Sequence, residues 1–160
     1  PTRRSSDLIK ANMPLNKTLH ENRGGLQLIF DKLRGNEEMV HKDKIASYTY
    51  ELTKTRYEFT KLELHALFIY SLEIIIDEVK DAKKYWYLTY WEFIEYICRV
   101  ALKLFEHVKD EKQGRMEYKV NKLIRIMYEA EDILDPVKAK LRSPDEDISF
   151  QEINEDEECC

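Results

Sequence analysis

The chain has 160 residues, 43% of them apolar and 36% charged, which is enough for one domain with a real core or for two small helical lobes sharing one. Four Gly and four Pro favour long helices over turn-rich β structure, and no apolar run approaches the ~20 residues that cross a bilayer. The net charge of -5 conceals eight acidic residues between Asp145 and Glu158, with no Lys or Arg after Arg142; without them residues 1–142 carry +3, too little for the basic stripe of a nucleic-acid binder.

The first eight residues, "PTRRSSDL", resemble one reading frame through a short-read sequencing adapter. They are expected to be a scar of transcript assembly or a tag, and are not read as a basic arm or targeting signal. Residues 9–25 hold Pro14 and Gly24-Gly25 and read as an irregular lead-in. "LQLIFDKL", Leu26 to Leu33, reads as a short helix ended by Gly35. A charged connector leads to a second short helix from about His41.

"FTKLEL" is a capping box with a hydrophobic staple: Thr60 as N-cap, Glu63 three residues on, Phe59 against Leu64. The helix is expected to run to about Lys80, apolar nearly all round through Leu67, Phe68, Leu72, Ile75 and Val79, and therefore central. "LTYWEF" repeats the device with Thr89, Glu92, Leu88 and Phe93, opening a helix to about Val108. Cys98 falls within its apolar pattern as a small core residue, which suits a reducing intracellular compartment. After Lys112-Gln113-Gly114 a further helix is expected from Met116 to about Glu131, striped by Val120, Leu123, Ile124, Met127 and Tyr128. Asp135-Pro136 suits the start of a short last helix to Leu141, followed by an acidic tail over 143–160 in which Ile148, Phe150 and Ile153 offer apolar contacts. The terminal Cys159-Cys160 resembles the prenylation signal of Rab-type small GTPases, but the chain has no phosphate-binding Gly-rich loop to go with it.

"DAKKYWYLTYWEF" has the outline of a calcium loop. Asp81 stands at the first position, Leu88 at the eighth and Glu92 at the twelfth. Calcium needs oxygen atoms at positions 1, 3, 5, 7, 9 and 12, with Gly at 6 for the turn. Here Lys83, Tyr85 and Trp86 occupy the third, fifth and sixth positions, so the ligand set fails. Aligning "VHKDKI" with "LTYWEF" places Val40 at the eighth position of an upstream loop and Lys44 at its twelfth, a cation where the bidentate Glu belongs. Two helix-loop-helix units, 26–52 and 60–108, are expected to form an EF-hand-like pair with both loops dead, within an all-α chain. No metal or other cofactor is expected.

"FTKLELHALFIYSLEIIIDEV" followed by "YLTYWEFIEYICRVA" resembles a degenerate EF-hand-like module of motile cilia and flagella. Its first helix reads F-x-x-x-E-x-x-x-A-F and its second M-T-F-x-E-F-L-E-x-x-x-R-V-A. The likeness covers about Phe59 to Leu104. Leu88, Thr89, Glu92, Phe93, Glu95, Arg99, Val100 and Ala101 follow the second helix; Phe59, Glu63 and Ala66 follow the first, with Phe68 offset by one. The resemblance implies a non-enzymatic structural component of an axonemal complex.

The four histidines lack metal-ligand spacing, and no hydrolase, zinc or redox motif occurs, so no enzyme is expected. Glu92 and Glu95 are read as solvated. Tyr85, Trp86, Tyr87, Tyr90 and Trp91 are the candidate partner-binding residues, since Trp and Tyr dominate interface hot spots. In the alternative reading Trp91 and Tyr87 pack in the core and the others shield the loop. The expected partners are proteins of a large assembly, including an amphipathic helix in a groove between the hands. Neither nucleic acid nor a membrane is expected, and contact with tubulin does not follow from the residues. Two other functional readings stand beside this one: a weak residual calcium sensor using Asp81 and Glu92, and a helical subunit of another large assembly, such as an organellar one.

Overall fold

The computed structural model describes residues 12–73, 85–109 and 114–132. Among them the chain is mostly helical: α1 (Met13–Glu21), α2 (Arg23–Arg34), β1 (Val40–His41), α3 (Lys42–Thr53), α4 (Lys61–Ser71), β2 (Tyr87–Leu88), α5 (Tyr90–Leu104) and α6 (Met116–Ala130). The short strands β1 and β2 pair antiparallel, with Val40 opposite Leu88 and His41 opposite Tyr87. They bring the runs that lead into α3 and α5 side by side. No helix among the described residues is long and apolar enough to cross a membrane.

Within the expected lead-in, Met13–Glu21 and the residues from Arg23 on are helical, not irregular. Asn12 caps α1 by accepting the Leu15 N–H through Oδ1 at 3.0 Å, and Pro14 lies in the first turn, where a missing N–H costs nothing. Asn22 separates α1 from α2, and Gly24-Gly25 opens α2 instead of breaking the chain. Gly25 has a packing reason. A Cβ there would lie 2.4 Å from the Tyr128 hydroxyl oxygen of α6. That hydroxyl donates to Asn22 Oδ1 at 3.0 Å, while Asn22 Nδ2 donates to the Thr18 carbonyl at 2.7 Å. Gly35 ends α2 at φ 61°, a left-handed conformation that favours glycine.

The central helix is α5, not the one that begins at Thr60. Packed against α4 on one side and α6 on another, α5 buries Phe93, Ile94, Tyr96, Ile97, Val100 and Ala101. The Tyr96 hydroxyl meets Thr49 Oγ1 at 2.7 Å; Thr49 gives its own proton to the Ile45 carbonyl, so Tyr96 is the donor between them. Burial pushes the Tyr96 phenol and the Cys98 thiol well above their ordinary pKa values. The core runs as one cluster from Leu15 through Phe30, Ile45 and Phe93 to Tyr128.

Both capping boxes form. Thr60 Oγ1 accepts the Glu63 N–H at 3.1 Å, and Glu63 Oε1 accepts the Thr60 N–H at 3.1 Å. Thr89 and Glu92 do the same. The helix from Thr60 is shorter than expected: α4 ends at Ser71, and Leu72 is extended at ψ 138°. A continuing helix would send the Glu73 N–H back to the Ile69 carbonyl. The Glu92 carboxylate takes that N–H instead, at 2.8 Å. Nor is α4 covered all round, since Leu62 is 77% exposed and Ile69 and Tyr70 are also at the surface. α5 likewise stops at Leu104, capped by Phe105, short of Val108.

Candidate functional site

The turn at Tyr85-Trp86, β2 and the first turn of α5 carry the candidate residues. Thr89 fixes where α5 begins, and the 3.6-residue period then divides its first turn. Phe93 and Ile94 face the core, while Trp91 faces outward and is 61% exposed. Trp86 is 49% exposed and Tyr85 is also exposed. Tyr87 and Tyr90 are half-buried. The reading that places Trp91 in the core is therefore overturned. Tyr87 is only partly covered, by an edge-on contact with His41 at 5.1 Å. Tyr90 is the anchored member, edge-on to Phe30 at 5.6 Å and to Trp91 at 5.4 Å.

A cation completes the surface. Lys42 Nζ stands 4.0 Å from the centre of the Trp86 ring, a contact worth ~0.5–1 kcal/mol at exposed sites. The β1–β2 register explains it: with His41 opposite Tyr87, the next residue on each side is Lys42 and Trp86. The sequence reading missed Lys42; the signal for it is the antiparallel pairing of Val40 with Leu88, which sets Lys42 beside Trp86. Burial, with a smaller effect of the Glu37 carboxylate, raises the Tyr87 pKa. Burial also raises that of Tyr90, against a lowering by the nearby Arg23.

Glu92 is 3% exposed and Glu95 7%, so neither is the solvated carboxylate expected from the surrounding Lys and Arg. The reason is the central position of α5. Both oxygens of Glu92 are engaged: Oε1 accepts the Thr89 N–H and Oε2 the Glu73 N–H, each at 2.8 Å. The carboxylate thus ties the end of α4 to the start of α5 through two backbone donors. A cation at this position would share both oxygens with these donors. Asp81, the other end of the loop outline, lies outside the described residues, as do Lys83, the last helix expected from Asp135, the acidic tail and Cys159-Cys160. The equivalent place at the start of α3 is held by Lys44, which is exposed. Among the described residues no group of three or more His, Cys, Asp or Glu side chains is arranged to hold a metal ion.

What the site offers is an exposed aromatic surface with a cation on it, beside a carboxylate that ties the end of α4 to the start of α5. A search of protein-family models, curated proteins and solved structures finds none that matches the chain.

Proposed function

We propose that the chain is a non-enzymatic, EF-hand-like structural adaptor that binds partner proteins constitutively, without calcium, in a large cytoskeletal assembly, the ciliary axoneme. The observation that carries the calcium-independent part is the double engagement of Glu92, whose two oxygens accept backbone N–H groups at 2.8 Å. The pairing of Val40 with Leu88 supports the EF-hand-like reading, because these are the residues that fall at the eighth place of each loop outline. Exposed Trp86 and Trp91 support protein binding, since such rings give large contact area at small entropic cost. The ciliary setting rests on the sequence likeness between Phe59 and Leu104.

The test is quantitative mass spectrometry of purified cilia against cell bodies, with successive detergent and high-salt extraction. Enrichment in the salt-resistant pellet is the expected result. Absence from cilia would remove the axonemal setting and favour a subunit of another large assembly. A sensor built on Asp81 and Glu92 would instead set calcium in competition with the Glu73 and Thr89 N–H groups for the Glu92 oxygens.

A further inference from the structure

The residue that ends β1 also starts α3. His41 is extended, at φ -69° and ψ 144°, and its Nδ1 accepts the Asp43 N–H at 3.1 Å. A backbone N–H can act only as a donor, so this nitrogen is unprotonated and the ring proton of the neutral imidazole sits on Nε2. The ordinary caps, Ser, Thr, Asp and Asn, offer an oxygen that goes on accepting throughout the neutral range. Imidazole differs, because it takes up a proton between about pH 8 and about pH 5. Once protonated, Nδ1 carries a hydrogen and cannot accept.

A second acceptor stands ready for that hydrogen. Asp43 Oδ2 is 3.7 Å from His41 Nδ1, too far for a hydrogen bond but close enough to favour the charged ring. The His41 side chain is 30% exposed and that of Asp43 80%, so a proton enters from solvent without opening the core. The positive end of the α3 dipole and the adjacent Lys42 act against the charged ring, which makes the Asp43 carboxylate its natural partner. The ring also meets Tyr87, its opposite number in the strand pair, edge-on at 5.1 Å. Other charges around the junction have partners or positions of their own. The Tyr87 hydroxyl bonds to the Glu37 carboxylate, Lys42 Nζ lies over Trp86, Lys44 Nζ lies toward Gly35, and Arg34 of α2 pairs with Asp31. Glu38 is exposed.

We infer that His41 is a proton-operated cap at the junction of β1 and α3. In its neutral form Nδ1 accepts the Asp43 N–H and holds the first turn of α3. Protonated from solvent, the same nitrogen donates to Asp43 Oδ2, the Asp43 N–H turns to water, and the ring shifts against Tyr87. Acidification thereby loosens the start of α3 and the edge of the strand pair beside Lys42 and Trp86. The device belongs to the fold and rests neither on the partner reading nor on the ciliary setting.

NMR of the isotope-labelled full chain, titrated from about pH 8 to about pH 5, tests the inference. An N–H···N bond transmits a scalar coupling between its two nitrogens. At the alkaline end a coupling between the Asp43 amide nitrogen and His41 Nδ1 is expected, with ring-nitrogen shifts of the Nε2–H tautomer. At the acid end the coupling is expected to vanish, and the Asp43 amide and Tyr87 ring signals to move with the midpoint of the His41 ring. His41→Asn keeps a cap that does not titrate, so its Asp43 amide signal is expected to stay put across the range. Asp43→Asn removes the charged acceptor and is expected to shift the His41 midpoint to lower pH. A coupling absent at the alkaline end, or one that persists at the acid end, overturns the cap. So does an Asp43 amide that titrates equally in His41→Asn. A His41 midpoint unmoved or raised by Asp43→Asn overturns the exchange of partners.

Discussion

Gly25 sets two magnitudes against each other. Alanine in place of a helical glycine gains ~0.5–1 kcal/mol from backbone entropy, but a Cβ here meets the Tyr128 ring at 2.4–2.6 Å. Overpacking of that kind costs ~1–3 kcal/mol, so the clash prevails and Gly25→Ala is expected to lower the urea midpoint. An unchanged or higher midpoint would mean that Tyr128 swings clear and that its hydrogen bond to Asn22 is dispensable. Glu63 carries a prediction in pH. The Tyr57 hydroxyl, then the Thr60 N–H, hold its carboxyl below the usual carboxylate range, with smaller help from the Thr60 hydroxyl and Lys103 against some desolvation. A lowered folded-state pKa stabilises the fold above the unfolded value of ~4.3, and that contribution is lost as pH falls through the folded value. Glu63→Gln should therefore flatten part of the acid limb of stability below about pH 5. An acid limb identical to the parent's would show that the Tyr57–Glu63 bond does not persist in solution.

At the scale of elements, the starts of α4 and α5 and the ends of α2 and α6 were legible, whereas α1, the start of α2 and the ends of α4 and α5 were not. Thr60 and Thr89 announce α4 and α5 because a cap and its Glu partner are local, three residues apart. The end of α4 depends on Glu92, 19 residues away, which draws off the Glu73 N–H; no local pattern encodes that. Pro14 and Gly24-Gly25 read as loop because the sequence does not display Tyr128, whose approach explains Gly25. The same cause hid the burial of Glu92 and Glu95: the cover over α5 comes from α4 and α6. Glu92→Gln tests the tie. An amide offers one acceptor oxygen where the carboxylate offered two, so one of the two backbone N–H groups loses its partner and faces an NH2 group. A loss of ~1–3 kcal/mol is expected, with faster hydrogen exchange at Glu73 or Thr89. Exchange unchanged at both amides would contradict the tie. Thr60→Ala, removing the cap of α4 alone, is expected to cost about 1 kcal/mol, read from the urea midpoint.

Across the whole molecule, the candidate residues separate into one anchor and an exposed group. Tyr90 packs on Phe30, so Tyr90→Ala is expected to lower stability as well as any partner binding. Trp86 and Trp91 lie outward, so Trp86→Ala and Trp91→Ala should each change stability by no more than about 1 kcal/mol while reducing retention in the extracted assembly. A melting temperature lowered as much by Trp91→Ala as by Tyr90→Ala would return Trp91 to the core. The aromatic cluster itself was plain in the sequence; the division within it was not, because it follows from the rotation of α5 against α2 and α4.

The central claim is that the two oxygens of Glu92 are engaged by the protein's own backbone and need no ion. A calcium titration of the full chain, followed by NMR at the Glu73 and Thr89 amides, tests it most directly. The account predicts that neither signal moves as calcium is raised through the micromolar range into the low millimolar. A saturable shift of the Glu73 amide at micromolar calcium, with loss of its protection from exchange, would show Glu92 leaving its backbone partners for the ion and would contradict the account.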